Sequence, residues 1–348
     1  MHSLTPDYLN RIVLTPEQGS TLNKIGEYKG KQKLFAHQTP EILETLRKAA
    51  VVESSECSNR LEGITAPHNR IEALVMESTT PQNRSEQEIA GYRDVLNLIH
   101  ESAAYMDCSV NVCLQLHTML YRYLPEDGGR WKMSDNEIVE RNSDGTVHRV
   151  RFKAVSAVAT PQAMDYLAER YKTGLQDLRK EPLLIIPLAV LDFLCIHPFS
   201  DGNGRVSRLL TLMMLYHFNY DVGRYISLER IFEQSKETYY ESLEASSQNW
   251  HNGKHNPNPW LNYFWGTLLR AYSEFEERVG TIADGKGNKT ELIRQTVNRK
   301  IGPFAISDIE SDCPGISRDM IRLVLRQLRD EGVISSHGKG RGAKWLKN

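Results

Sequence analysis

The chain has 348 residues, of which 40% are hydrophobic and 25% are charged, and these values are typical of a globular protein rather than a disordered or fibrous one. Its formal net charge of -1 excludes a general electrostatic attraction to nucleic acid or to anionic membranes. The N-terminus lacks the pattern of a secretory signal and no apolar run reaches membrane-spanning length, so we expect a cytoplasmic protein without membrane contact.

The first elements in chain order are predicted to be helices. Thr39-Pro40 is a typical helix start, and the helix that follows should end near Glu62, just before Gly63. Apolar residues that return every three or four positions predict further helices over 85–105, 110–124, 161–178 and 181–196. We expect these helices to assemble into one bundle.

One segment departs from this helical pattern. Two short β-prone runs within 136–152 flank the turn sequence Asn142-Ser143-Asp144-Gly145, in which Gly145 is free to take a positive φ. The segment is therefore predicted to be a β-hairpin.

Cysteine and histidine patterns do not predict a metal site or disulfides. His251 and His255 have a metal-like spacing, but they lie in a loop composition without a third ligand, and His117 is expected to pack within a helix. The cysteines are odd in number and lack Cys-x-x-Cys spacing, so we expect reduced thiols at Cys57, Cys108, Cys113, Cys195 and Cys313.

The segment 196–208, IHPFSDGNGRVSR, lies between two strongly apolar helical patterns and predicts an anion site. Gly202 and Gly204 allow the backbone to approach a phosphate closely, and the free N–H groups at the following helix start favour a negative charge. The side chain of Asn203 can add an amide donor, whereas Phe199 is predicted to be a core residue.

Charged side chains of the same segment suggest phosphate chemistry. Arg205 and Arg208 lie one turn apart and can contact further phosphates. Asp201 offers the hard oxygen ligand that Mg²⁺ prefers, and His197, with a reference pKa of about 6.5, is a suitable general base for a hydroxyl group.

HPFSDGNGRVSR resembles the signature of the Fic family at every defining position. The resemblance implies transfer of AMP from ATP to a protein hydroxyl, with His197 as the base and Asp201 as the Mg²⁺ ligand. It assigns the phosphate chain to Gly202, Asn203, Gly204, Arg205 and Arg208. Kinase-like members carry lysine at the position of Gly204, so this loop looks like the AMP-transferring kind.

The resemblance extends over roughly 22–272. The predicted hairpin takes the place of the family's flap, which pairs with the target backbone as an added strand. Tyr239 and Tyr240 look like the tyrosine pair beside the nucleotide base, although packing between helices is an equally good explanation for either ring. Ser247 stands near a position that is often asparagine in the family.

Ser58-Asn59-Arg60-Leu61-Glu62-Gly63 is similar to the family's inhibitory motif. Its position before the core implies the N-terminally autoinhibited class, in which Glu62 competes with the γ-phosphate of ATP for Arg208. A plain helix C-terminus is the alternative explanation. We expect low resting activity.

The C-terminal segments 291–302, 305–313 and 317–334, followed by a glycine-containing basic stretch, resemble a winged helix-turn-helix. Apolar residues give the third helix one packed face, and Ser317 is a suitable N-cap. DNA binding and protein docking both remain open for this module. Its basic residues are Arg318, Arg322, Arg326, Arg329, Lys339, Arg341, Lys344 and Lys347.

The predicted fold is mainly α, a Fic-type helical bundle with a β-hairpin flap and a C-terminal winged helix-turn-helix domain. We expect an N-terminal region with the inhibitory helix over 1–100, a catalytic core over 101–279, a linker over 280–289 and the C-terminal domain over 290–348. The expected partners are ATP with Mg²⁺ and a target protein, which includes the chain itself; a homodimer stays open. One alternative is a DNA-binding regulator that senses nucleotide without catalysis; another is a related enzyme that uses a different nucleotide or removes AMP.

Overall fold

The computed structural model describes residues 3–38, 40–77, 79–141, 146–176, 181–283, 288–300, 302–313, 316–337 and 344–347. The chain divides into two compact units. Met1–Gln32 and Ala50–Tyr272 form the larger unit, and Lys33–Ala49 and Ser273–Asn348 form the smaller one.

Helices dominate the described residues, as predicted. The first six are α1 (Pro6–Leu9), α2 (Pro16–Gln38), α3 (Pro40–Leu61), α4 (His68–Met76), α5 (Arg84–Ser102) and α6 (Val110–Leu120). The next six are α7 (Thr160–Gln176), α8 (Pro182–Ile196), α9 (Asn203–His217), α10 (Leu228–Gln234), α11 (Lys236–Ser247) and α12 (Asn258–Ala283). Among the described residues, no helix is both long and apolar enough to cross a membrane.

Helices α8 and α9 form the centre of the larger unit. Nearly every side chain of α8 is buried, because its sequence is apolar on all sides and α7, α9 and α11 pack around it. Helix α9 is buried over most of its length in the same way. The loop 197–202 between them therefore has both of its ends fixed in the core.

The predicted hairpin is present as strands β1 (Glu137–Arg141) and β2 (Val147–Lys153), which pair in antiparallel fashion. Two register shifts interrupt the ladder, and only Phe152 of β2 is buried. Phe152 stacks on His251 with ring centroids 5.2 Å apart. The turn Asn142–Gly145 lies outside the described residues.

The smaller unit contains α13 (Asn288–Arg299), α14 (Ile306–Asp312), α15 (Arg318–Asp330), β3 (Ile334–His337) and β4 (Lys344–Lys347). Strands β3 and β4 pair in antiparallel fashion, and Phe304 exchanges backbone hydrogen bonds of 2.8 and 2.7 Å with Trp345. The buried residues of α15 are Ile321, Val324, Leu325 and Leu328, the stripe that the sequence predicted. The glycine-rich stretch 338–343 lies outside the described residues.

The predicted fold class, mainly helical with a small antiparallel hairpin, is confirmed. Within the segment 280–289 predicted as a linker, α12 continues to Ala283 and α13 begins at Asn288, and residues 284–287 lie outside the described residues. All five cysteines are free thiols.

Candidate active site

His197 ends helix α8 in a left-handed conformation, with φ 52° and ψ 60°. Its N–H still donates to the carbonyl of Phe193, while its ring turns back so that Nδ1 lies 3.2 Å from the carbonyl of Leu194. Because a carbonyl oxygen can only accept, Nδ1 carries the proton and Nε2 keeps its lone pair. This is the tautomer that a base needs.

The pKa of His197 is lowered to about 4, mainly by burial and to a smaller extent by the ammonium of Lys132, while the Leu194 carbonyl and Glu62 act in the raising direction. The imidazole is therefore neutral at physiological pH and can accept a proton.

A segment just before the hairpin holds the backbone of the loop. The N–H of Lys132 donates to the carbonyl of Pro198 over 2.9 Å, and its buried Nζ donates to the carbonyl of Ile196 over 2.9 Å. Asn136 Nδ2 donates to the carbonyls of His197 and Phe199 over 3.4 and 3.1 Å. These bonds fix the carbonyls on both sides of His197.

Phe199 and Asn203 close the loop on itself. Asn203 Oδ1 accepts the N–H of Phe199 over 2.9 Å, and Asn203 Nδ2 donates to the Phe199 carbonyl over 2.8 Å. Phe199 is fully buried, as predicted, and Asn203 is buried with it. The Asn203 side chain, expected at a phosphate, is thus engaged with the backbone of its own loop.

Helix α9 begins directly after Gly202, whose φ of 80° is one that a glycine adopts without strain. The first N–H groups of a helix have no intrahelical acceptor and carry the positive end of the helix dipole. The start of α9 therefore favours an anion at the place where the sequence predicted one.

The Asp201 side chain is 72% exposed. Its Oδ2 accepts from the hydroxyl of Tyr121 over 2.8 Å and from Arg205 Nη2 over 3.2 Å. Burial raises the pKa of Asp201, but Arg205 and Tyr121 lower it, and the net pKa lies below the ordinary value. The carboxylate is therefore ionised and held in one orientation.

His117 supports the same residue from α6. Its Nδ1 accepts the N–H of Gly129 over 2.8 Å, which leaves Nε2 to donate to the Asp201 carbonyl over 3.1 Å. The ring stacks on Phe199 with centroids 3.8 Å apart, and burial lowers its pKa to about 4. His117 packs within a helix, as predicted, and it also orients the loop.

Arg205 and Arg208 have different surroundings although they lie on the same turn of α9. Arg205 is 1% exposed, and its Nη1 lies 2.6 Å from Glu88 Oε2 on α5. Together with the bond to Asp201, this pairing engages the guanidinium with two carboxylates. The sequence predicted a phosphate contact for Arg205. The structure shows in addition that Arg205 is paired with Glu88 and Asp201.

Arg208 meets the end of α3. Its Nε donates to Ser58 Oγ over 2.8 Å, and its Nη2 donates to the Ser58 carbonyl over 2.9 Å and to Glu62 Oε1 over 2.7 Å. The Glu62 carboxylate also covers Gly204, because a Cβ built there would overlap Glu62 Oε1. A carboxylate of the chain itself thus lies at the predicted anion site.

Tyr239, Tyr240 and Ser247, which the sequence analysis assigned to the nucleotide base, lie in different environments. Tyr239 is buried among aromatic rings, with centroids 5.1 Å from Phe232 and 5.0 Å from Tyr240. The Tyr240 hydroxyl lies 3.4 Å from the carbonyl of Leu61, next to Glu62. Ser247 is buried and donates to the Glu244 carbonyl over 2.9 Å.

The donor set around Asp201 fits a nucleotide-bound magnesium ion rather than a metal held by protein alone. Among the described residues, no group of three or more His, Cys, Asp and Glu side chains could hold a metal ion. Mg²⁺ is commonly bound through one or two carboxylates together with substrate phosphates, and one ionised, exposed carboxylate satisfies that requirement.

Four residues of the site had no signal in the sequence: Glu88, Tyr121, Lys132 and Asn136. Each reaches the loop from a segment at least 60 positions away, and residues so distant leave no local spacing pattern.

Residues 105–215 match the model of the Fic/DOC family. The matched region includes the hairpin, the loop between α8 and α9, and nearly all of α9. Together with the site geometry described above, this match shows that the region 105–215 is similar to the Fic/DOC family.

Similar solved structures extend the likeness beyond that region. A Fic family protein from Desulfovibrio desulfuricans G20 has a TM-score of 0.63 and 20% identity, and the match covers 97% of each chain. A Fic domain containing signaling protein from Bacteroides thetaiotaomicron VPI-5482 has a TM-score of 0.60 and 22% identity over 74% of this chain and 98% of that one. Fic-1 from C. elegans has a TM-score of 0.59 and 16% identity over 76% and 73%. These structures share the fold.

Proposed function

We propose that this protein is an adenylyltransferase that moves AMP from ATP to a hydroxyl group of a protein, and that Glu62 restrains it. One observation carries the proposal. One six-residue loop has the neutral imidazole of His197, with its free Nε2, at one end. At its other end lies the N-terminus of helix α9, which the carboxylate of Glu62 occupies. Base and anion site together match the needs of phosphoryl-type transfer.

In the proposed reaction, Nε2 of His197 accepts the proton of the acceptor hydroxyl. The hydroxyl oxygen forms a bond to the α-phosphorus of ATP, and the bond from that phosphorus to the bridging oxygen of the β-phosphate breaks. Diphosphate leaves with the electron pair. The bond from Nδ1 to the Leu194 carbonyl keeps the ring in the tautomer that this step requires.

The residues of the loop divide the remaining work. The backbone N–H groups of Gly202, Asn203 and Gly204 would bind phosphate oxygens, while the Asn203 side chain keeps the loop closed. Asp201 would hold Mg²⁺. Tyr121 fixes the Asp201 carboxylate directly, and Glu88 fixes it through Arg205. When bound, Mg²⁺ supplies charge neutralisation at the phosphates.

The proposed restraint rests on competition for Arg208. Glu62 Oε1 lies 2.7 Å from Arg208 Nη2, and the same carboxylate covers Gly204 at the start of α9. A triphosphate that needs both groups has to displace this carboxylate, so the chain at rest should bind ATP weakly or in an unproductive position.

The test follows label from ATP marked at its α-phosphate into protein, with label at the γ-phosphate as a second arm. Glu62→Gly should raise incorporation of α-label by about tenfold or more. Adding His197→Ala to this variant should reduce the incorporation by at least about a hundredfold. γ-Label should remain absent from the protein.

Glu62→Gln is the matched control, because it keeps the size and removes the charge. It should give an activity between those of the parent chain and Glu62→Gly. Absence of α-label in every variant, or label that persists after His197→Ala, would refute the proposed transfer. A salt-sensitive shift of DNA without any label would favour the DNA-binding regulator instead.

A further inference from the structure

Exposed apolar side chains concentrate around the hairpin. Among the described residues, nine large apolar side chains are exposed, and four of them lie between positions 133 and 158. They are Met133 (93%), Val147 (51%), Val150 (47%) and Val158 (94%). Apolar side chains exposed next to one another mark interaction sites, whereas single exposed apolar residues are ordinary, so the positions of these residues relative to one another matter.

Met133 and Val158 lie on two loops that are tied to each other. The N–H of Ala157 donates to Asp135 Oδ1 over 2.7 Å, which joins the loop before the hairpin to the loop after it. One of the two apolar residues precedes Asp135 by two positions, and the other directly follows Ala157. We call these two loops, 132–136 and 154–159, the apolar rim.

The apolar rim is also bonded to the chain on both sides of His197. The N–H of Lys132 donates to the Pro198 carbonyl over 2.9 Å, and the N–H of Val155 donates to the Cys195 carbonyl over 3.3 Å. Met133 and Val158 therefore lie within a few residues of bonds that reach the immediate neighbours of the base.

Two arginines of the hairpin form ion pairs within the molecule. Arg149 lies 2.8 Å from Glu140 and 2.5 Å from Glu244, and Arg151 lies 3.0 Å from Glu140. Two guanidinium groups thus face two carboxylates. These two arginines are therefore engaged with carboxylates of the same chain.

Among the described residues, β1 and β2 form a two-stranded sheet, so each strand has an outer edge without a paired strand. Such edges accept an extended segment of another chain, and side-chain pockets beside them select its sequence.

We propose that Met133 and Val158 determine which acceptors are modified, by contacting an apolar side chain next to the acceptor hydroxyl. The occupant of the rim is an extended segment of the acceptor protein with an apolar residue beside its Ser, Thr or Tyr. This inference rests on the proposed function, since it concerns the acceptor in the same reaction.

The test uses the full chain with Glu62→Gly and short peptides that carry one Ser, Thr or Tyr flanked by leucine, lysine or glutamate. Leucine-flanked peptides should be preferred by about fivefold or more in kcat/KM. Adding Met133→Ser and Val158→Ser should reduce this preference to near unity. Both side chains are more than nine-tenths exposed, so their replacement should leave the fold and the affinity for ATP unchanged.

Val13→Ser and Tyr105→Ser are matched controls, because these side chains are 80% and 91% exposed elsewhere on the chain. Both should retain the preference for leucine. A preference that survives in the Met133/Val158 variant overturns the inference, and so does label that enters the protein itself but no peptide. A change from dimer to monomer without a change of preference would assign the rim to self-association. Failure of every variant to take up label in a His197-dependent manner would refute the proposed function as well.

Discussion

The loop between α8 and α9 and the hairpin β1–β2 lie side by side but are held in opposite ways. Buried side chains such as Lys132 and Asn203 bind the backbone of the loop, and its residues pack against the core. Among the described side chains of the hairpin, only Phe152 is buried, and the strands are otherwise held by partly exposed ion pairs and an interrupted ladder. The loop proposed for chemistry is therefore held by many buried contacts, whereas the hairpin proposed to lie beside the acceptor is accessible and has few of them.

The largest effect is expected from breaking the closure of the loop. Asn203→Ala removes both hydrogen bonds to Phe199 and leaves a buried N–H group without its acceptor, which should cost about 2 kcal/mol of the free energy of unfolding. Transfer activity in the Glu62→Gly chain should fall by about a hundredfold as the loop loses its geometry.

Urea titration and label incorporation measure these two quantities. Asn111→Ala is the control, because Asn111 is exposed on α6 and its replacement should change stability by less than about 0.5 kcal/mol. Equal effects of the two substitutions would show that the loop does not depend on Asn203.

A second effect follows from the burial of the loop. Because burial lowers the pKa of His197 to about 4, the base is already neutral at pH 5. The acidic limb of kcat/KM for ATP should therefore lie at least about one pH unit below the value of 6.5 that is typical of an exposed histidine.

The pH dependence is measured on the Glu62→Gly chain, with thermal unfolding recorded at each pH as a control for stability. NMR titration of the His197 ring gives an independent value. An acidic limb near pH 6.5 that coincides with the ring titration would contradict the proposed burial of the base.

The smallest effect is expected in the hairpin. Arg149→Ala removes ion pairs with Glu140 and Glu244, but the Arg149 side chain is 51% exposed, so the free energy of unfolding should fall only slightly. The loss should shrink further at high salt. A cost above that of Asn203→Ala would reverse the comparison between the two regions.

Much of the molecule could be predicted from local patterns. The helical periodicity, the hairpin around 142–145 and the glycines at the start of α9 depend on neighbours within a few positions, and such signals are visible in a sequence. The Fic-type fold was predicted from one loop, and the family match and the similar structures support the same fold. The sequence also predicted, from the motif at 58–63, that the segment with Glu62 is inhibitory.

Other features depended on contacts across the fold. Arg205 and Arg208 look alike in the sequence, yet one is paired with Glu88 and the other with Glu62. The choice arises because α5 and the end of α3 approach different faces of α9. Asn203 has the residue type of a phosphate ligand, and only the folded loop directs its amide to Phe199.

By itself, the sequence determined the presence of helices α3 and α5 to α8, the position of the hairpin, and which residue types gather in the loop from His197 to Arg208. The tertiary structure alone decided the proton position on His197, the partners of the two arginines and the exposure of Met133 and Val158. The physical reason is range: backbone preferences act between neighbours, whereas burial and pairing depend on groups that are distant in the chain and meet only after folding.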